Sequence, residues 1–185
     1  MAAAEMCIDL GDLVGARRHL EGLEGDQPRL LRAKLARWEK DWATADKDLS
    51  LIRDPALEGD VRVERAHALL AIRELAGAHG LLQGFPKEGK RSSEARYLEG
   101  LALYHLGNKK AAIKVWRALI REAPQDAWVY KADWAYTNAV AGKQVEFSSW
   151  GKRVSILKRI GYSGDLNADL KEWPEWQSLP RRARI

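Results

Sequence analysis

The sequence predicts an all-α protein organised as an array of about four to five antiparallel helix pairs closed by a C-terminal capping helix. Three observations carry this. The composition favours helix: 46% of the 185 residues are hydrophobic and 31% charged, and Ala, Leu, Arg, Glu and Lys dominate over β-branched runs. A triplet of a small residue, an alanine twelve positions on and a large residue four further on recurs as Ala4/Ala16/Leu20, Ala33/Ala45/Leu49, Ala66/Ala78/Leu82 and Gly100/Ala112/Trp116. The copies step along the chain at nearly constant intervals, and a proline follows each second helix: Pro28, Pro55, Pro86 and Pro124.

These residue types suit helix pairs. Two antiparallel helices approach closely only where side chains are small, and the large residue one turn later fills the gap that remains. Proline lacks a backbone N–H and disfavours helix in the residue before it. A single pair cannot bury its apolar stripe alone, so neighbouring pairs must stack.

In order, the predicted pairs are 2–10 with 12–24, 27–39 with 41–53, 58–73 with 75–84, and 92–106 with 108–122. Pro28 suits a first helical turn, and Gly11 and Gly84 suit helix ends. The most regular copy is Ser93–Pro124, with its turn at Gly107–Asn108. Asp126–Ala141 is expected to be an aromatic-rich helix, paired with 149–160 behind an N-cap at Ser148. The segment after 162 is expected to cap the array through Leu170, Pro174, Trp176 and Leu179. The domain organisation is therefore 1–124 for the four regular pairs, 125–161 for a divergent fifth, and 162–185 for the cap and a basic tail. Trp42, Trp116, Trp128 and Trp150 are expected to fill gaps between helices.

On Gly100, Ala112, Trp116 and Pro124, with Gly107 in the turn, the chain resembles the tetratricopeptide repeat (TPR) family. Leu103 stands for the usual tyrosine, while Arg96 and Glu99 depart from the usual tryptophan and leucine. The resemblance implies a right-handed superhelical array, a TPR-like α-solenoid, and a non-enzymatic scaffold that binds a peptide or protein segment in its concave groove. By the repeat register that groove would be lined by Leu30, Lys34, Arg37 and Trp38; by Val63, His67, Leu70 and Ala71; by Tyr97, Leu101, Tyr104 and His105; and by Val129, Asp133, Tyr136 and Thr137. It would be aromatic and apolar, and basic at one end, with Trp38 partly exposed. The same side chains could instead pack against neighbouring first helices. A carboxylate-clamp co-chaperone is disfavoured, because only Lys34 and Arg37 supply cations where Val63, His67, Tyr97 and Leu101 would also have to.

Other chemistry is thin. His19, His67, His79 and His105 show no i, i+4 metal spacing, and neither HExxH nor CxxC occurs. Asp165, Asn167 and Asp169 imitate a calcium loop, but Leu170 and Trp176 stand where glycine and glutamate are needed. No phosphate-binding glycine motif is present. The expectation is no enzyme, no metal and no cofactor. Cys7 is the single cysteine, so no intrachain disulfide can form. The net charge is +5, with Lys152, Arg153, Lys158, Arg159, Arg181, Arg182 and Arg184 as the one-signed region. Nucleic acid is disfavoured as a partner. No apolar run approaches the roughly 20 residues that span a bilayer, and the N-terminus has no basic leader, so a cytoplasmic protein without membrane insertion is expected. The alternative to a peptide-binding scaffold is a structural or self-associating module of a larger assembly.

Overall fold

The computed structural model describes residues 1–123 and 126–145. Among these there is no strand. The elements are α1 (Ala2–Leu10), α2 (Leu13–Leu20), α3 (Asp26–Glu39), α4 (Trp42–Ser50), a 3-10 turn at Pro55–Leu57, α5 (Glu58–Ala71), α6 (Leu75–Leu82), α7 (Ser92–His105), α8 (Lys109–Glu122) and α9 (Ala127–Val140). The expected helix at 149–160, the cap residues and the basic tail lie outside the described residues, as does Pro124.

Each of the four pairs turns at the same place. Gly11, Lys40, Arg73 and Gly107 adopt left-handed backbone, with φ of 77, 64, 68 and 89°. Each stands five positions ahead of the second-helix alanine of its own triplet, so the turns keep the register of the triplets. At each turn two backbone N–H groups reach back to the helix end, as at Gly107 N to Tyr104 O (3.1 Å) and Asn108 N to Leu103 O (2.9 Å). This satisfies carbonyls that the helix terminus would otherwise leave open. The next residue opens the second helix. Asp12, Asp41 and Asn108 accept from the backbone N–H three positions on, at 2.9, 3.1 and 3.3 Å. The same turn recurs after α9 at Gly142–Lys143.

Several helix ends differ from expectation, two of them by three residues or more. Helices α2 and α4 end at Leu20 and Ser50, short of 24 and 53. Pro28 lies in the first turn of α3 and Pro55 in the 3-10 turn ahead of α5. Pro28 and Pro55 thus mark the start of the next pair, which agrees with the fixed φ of proline suiting a first helical turn, while Pro86 lies in the loop between α6 and α7.

All twelve triplet residues are buried. In three pairs an alanine on the first helix faces a leucine on the second. In the fourth, glycine faces tryptophan, and the fit is tight. A β-carbon at Gly100 would sit 2.1 Å from Trp116 Nε1 and 2.5 Å from its ring carbon Cε2. The Trp116 indole is fully buried, and its N–H donates to Tyr97 O at 3.1 Å.

Each helix packs on the next, and each first helix also packs on the first helix of the following pair: α1 on α3, α3 on α5, α5 on α7 and α7 on α9. The core runs along the chain in three clusters. One joins α1, α2 and α3, a second α3 and α4, and the largest spans α5 to α9 around Trp116 and Leu101.

Candidate functional site

The row of first helices α3, α5, α7 and α9 brings the sequence-predicted residues onto neighbouring elements and divides them into two groups. Leu70, Tyr97, Leu101, Tyr104 and Asp133 are buried, as are Leu30, Val63 and Val129. Tyr97 keeps only 6% of its surface, and burial pushes its hydroxyl pKa up. Tyr104 packs its ring 6.1 Å from Trp116 and donates its hydroxyl to Lys143 O at 3.0 Å. All of these buried side chains but Asp133 belong to the core clusters, so the expected apolar groove is not open along them. Lys34, Arg37, Trp38, His67, His105 and Tyr136 stay half-exposed. Trp38 leans on the α1–α3 cluster and Tyr136 on the main one. Burial and the nearby Arg73 push the His105 imidazole pKa down.

The half-exposed cations do not form a basic end. Lys34 Nζ lies 3.8 Å from Glu5 of α1, and Arg37 Nε lies 2.8 Å from Glu64 of α5. Glu64 is 3% exposed and also meets Arg91 at 3.0 Å. Arg91, just ahead of α7, contacts Glu94 at 2.6 Å and Asp60 at 2.7 Å. His67 Nε2 completes the chain at 2.8 Å from Glu94. The result is one network over three helices: carboxylates from Asp60, Glu64 and Glu94, guanidiniums from Arg37 and Arg91, and one imidazole.

Opposite charges set the ionisation of this network against the cost of burial. Burial opposes charging of Glu64, yet Arg37, His67 and Arg91 hold its carboxyl below the ordinary range. Burial likewise opposes charging of Glu94, but the His67 hydrogen bond and Arg91 pull it down to about 2. Burial works against the Arg91 charge, and Glu94 and Glu64 outweigh it and drive its pKa up.

Beside the network stands an aromatic group from α9. Trp128 lies 5.6 Å from the Tyr97 ring and 6.5 Å from His67, and Lys131 Nζ sits 3.7 Å over its face. Charge and aromatic surface therefore run together from α3 to α9. Among the described residues, no cluster of His, Cys, Asp and Glu is grouped to hold a metal ion, and no helix is long and apolar enough to cross a membrane.

Sequence reasoning did not single out Asp60, Glu64, Arg91 or Glu94. The available signal was spacing. Arg37, Glu64 and Arg91 stand 27 residues apart in turn, and so do His67 and Glu94. No protein-family model, curated protein sequence or solved structure matches the chain.

Proposed function

We propose that the chain is a TPR-like α-solenoid, a right-handed superhelical array of helix pairs, and that it serves as a non-enzymatic scaffold holding a peptide or protein segment along its first helices. The observation that supports this most directly is the shared strip on α3, α5, α7 and α9. Arg37, Glu64, Arg91, Glu94 and His67 link three helices in succession, and Trp128 adds an aromatic plate on the fourth. A surface assembled from successive repeats suits an extended ligand, because each pair offers the next stretch of chain a similar set of contacts. The contact residues in this reading are Lys34, Arg37, Trp38, His67, Trp128 and Tyr136. Buried Tyr97 backs the Trp128 ring.

Substitution of Tyr97 or Tyr104 would damage the core rather than the binding face. The test therefore uses the half-exposed end. Random peptides displayed on phage are selected against the chain, and the enriched peptides are titrated against a Lys34→Glu/Trp38→Ala variant. Loss of binding with unchanged far-UV circular dichroism is expected. Undiminished binding, or amide protection by the peptide that maps away from α3 and α5, would refute the assignment.

One observation favours a second reading, a self-associating module. Met6, Leu10 and Val14 on the first pair are 60, 57 and 72% exposed. Light scattering across concentration distinguishes the two: a strict monomer excludes self-association.

A further inference from the structure

A separate surface lies on the solvent side of α8. Its inward face buries Ala112, Trp116 and Leu119. Its outward face carries Lys110, Lys114, Arg117 and Arg121, all exposed, at the i, i+4, i+7 and i+11 positions of a single stripe. The stripe is about 16 Å long at 1.5 Å per residue. Glu122 is the one acid on this helix, and it is taken up by Arg96 and Arg121 at 2.8 and 2.9 Å. Among the described residues no carboxylate pairs with Lys110, Lys114 or Arg117. By contrast, Arg17, Arg29, Arg37, Arg62, Arg65 and Arg91, earlier in the chain, each meet an acid. Among the described residues, three of the four cations of the α8 stripe, Lys110, Lys114 and Arg117, thus stand without a carboxylate partner on a well-anchored helix.

We propose that this stripe docks an acidic amphipathic helix of a protein partner, with carboxylates at matching i, i+4, i+7 and i+11 positions. Two features favour a helix over other polyanions. Ile113 and Ile120 border the stripe, half-buried and packed on the main core cluster. The apolar flank of an amphipathic helix can cover them, whereas a phosphate backbone has nothing to place there. No aromatic side chain stands among the four cations to stack on bases. A lipid surface needs apolar side chains free to insert, and the two isoleucines are held by the core. The surface lies on a second helix and is independent of the first-helix strip.

The test uses the full chain and two fluorescein-labelled helical peptides of the same composition. One carries glutamates in the matching phase, and the other has them distributed around the helix. Anisotropy should show the phased peptide binding at least about tenfold more tightly. Binding should weaken as salt rises from about 50 to about 200 mM. Lys110→Glu/Lys114→Glu/Arg117→Glu should abolish binding of the phased peptide and gain binding of its lysine counterpart, with helical circular dichroism unchanged. If the triple variant misfolds, the three single alanine variants serve instead, and each should weaken the phased peptide. Equal affinity for the two peptides, retention by the variants, or tighter binding of duplex DNA or phosphatidylserine vesicles through the same residues would overturn the proposal.

Discussion

Gly100 and Trp116 offer a test in which the sign of one substitution depends on the other. In the native chain, Gly100→Ala would place a β-carbon 2.1 to 2.6 Å from three atoms of the Trp116 ring. Real β-carbons do not approach so closely, and the ring cannot step aside easily. It is fully buried and its N–H is held by Tyr97 O. Overpacking of this kind costs about 1–3 kcal/mol. The better helix propensity of alanine returns about 1 kcal/mol. The net expectation is a loss of up to about 2 kcal/mol. Trp116→Leu alone leaves a cavity beside the glycine and should cost about 2–4 kcal/mol, somewhat less than a truncation to alanine. The double substitution recreates the alanine-and-leucine contact that Ala66 and Leu82 make in the preceding pair. In the Trp116→Leu background, Gly100→Ala should therefore stabilise, by up to about 1 kcal/mol. Urea unfolding followed by far-UV circular dichroism measures all four corners of the cycle. If Gly100→Ala destabilises equally in both backgrounds, with additivity within about 0.5 kcal/mol, the close approach does not govern this pair.

Three further outcomes follow from the network and the turns. Glu64→Gln removes the shared counter-charge of Arg37 and Arg91 and should cost about 3 kcal/mol in urea unfolding. Glu94 is held near 2 against an ordinary value of 4.5. A depressed acid contributes stability that is complete above its unfolded value and lost as pH falls through the folded one. The urea midpoint should therefore drop between pH 4.5 and 2, and Glu94→Gln should flatten the curve across that window by about one proton. Lys40 occupies a left-handed turn position where Gly11 and Gly107 occur in other pairs. Lys40→Gly should raise stability by about 1 kcal/mol, read from thermal or urea unfolding, because a side chain disfavours that backbone.

What could be read from the sequence was whatever lies inside one helix pair. The small residue, the alanine, the large residue and the turn all fall within a single helix pair, close together along the chain. Their spacing is set by helix geometry alone, and repetition makes a weak local signal count four times. The divided fate of the predicted groove has a different cause. Tyr97, Leu101 and Tyr104 form an apolar stripe that suits a ligand or a neighbouring helix equally well, and a helical period cannot distinguish the two. The contacts α5·α7 and α7·α9 decide the matter, and they depend on how far each pair is offset from the next. That offset was nevertheless written in the charges. By register, Arg37 is equivalent to Leu70, Glu64 to Leu98 and His67 to Leu101. Their partners are instead Glu64, Arg91 and Glu94. Each partner therefore lies nearly two helical turns before the position equivalent by register. A buried glutamate such as Glu64 makes physical sense only between two such partners, since alone it would carry a heavy desolvation cost. The stripe on α8 was hidden for the simpler reason that apolar residues separate its cations along the chain. Projected onto a helix, Lys110, Lys114, Arg117 and Arg121 fall on one side, while Ala112, Trp116 and Leu119 fall on the other. Between them, a fixed charge offset and a one-sided projection convert a linear list of lysines, arginines and glutamates into two different kinds of surface. In the first, the charges bind the pairs to each other. In the second, Lys110, Lys114 and Arg117 meet no carboxylate among the described residues.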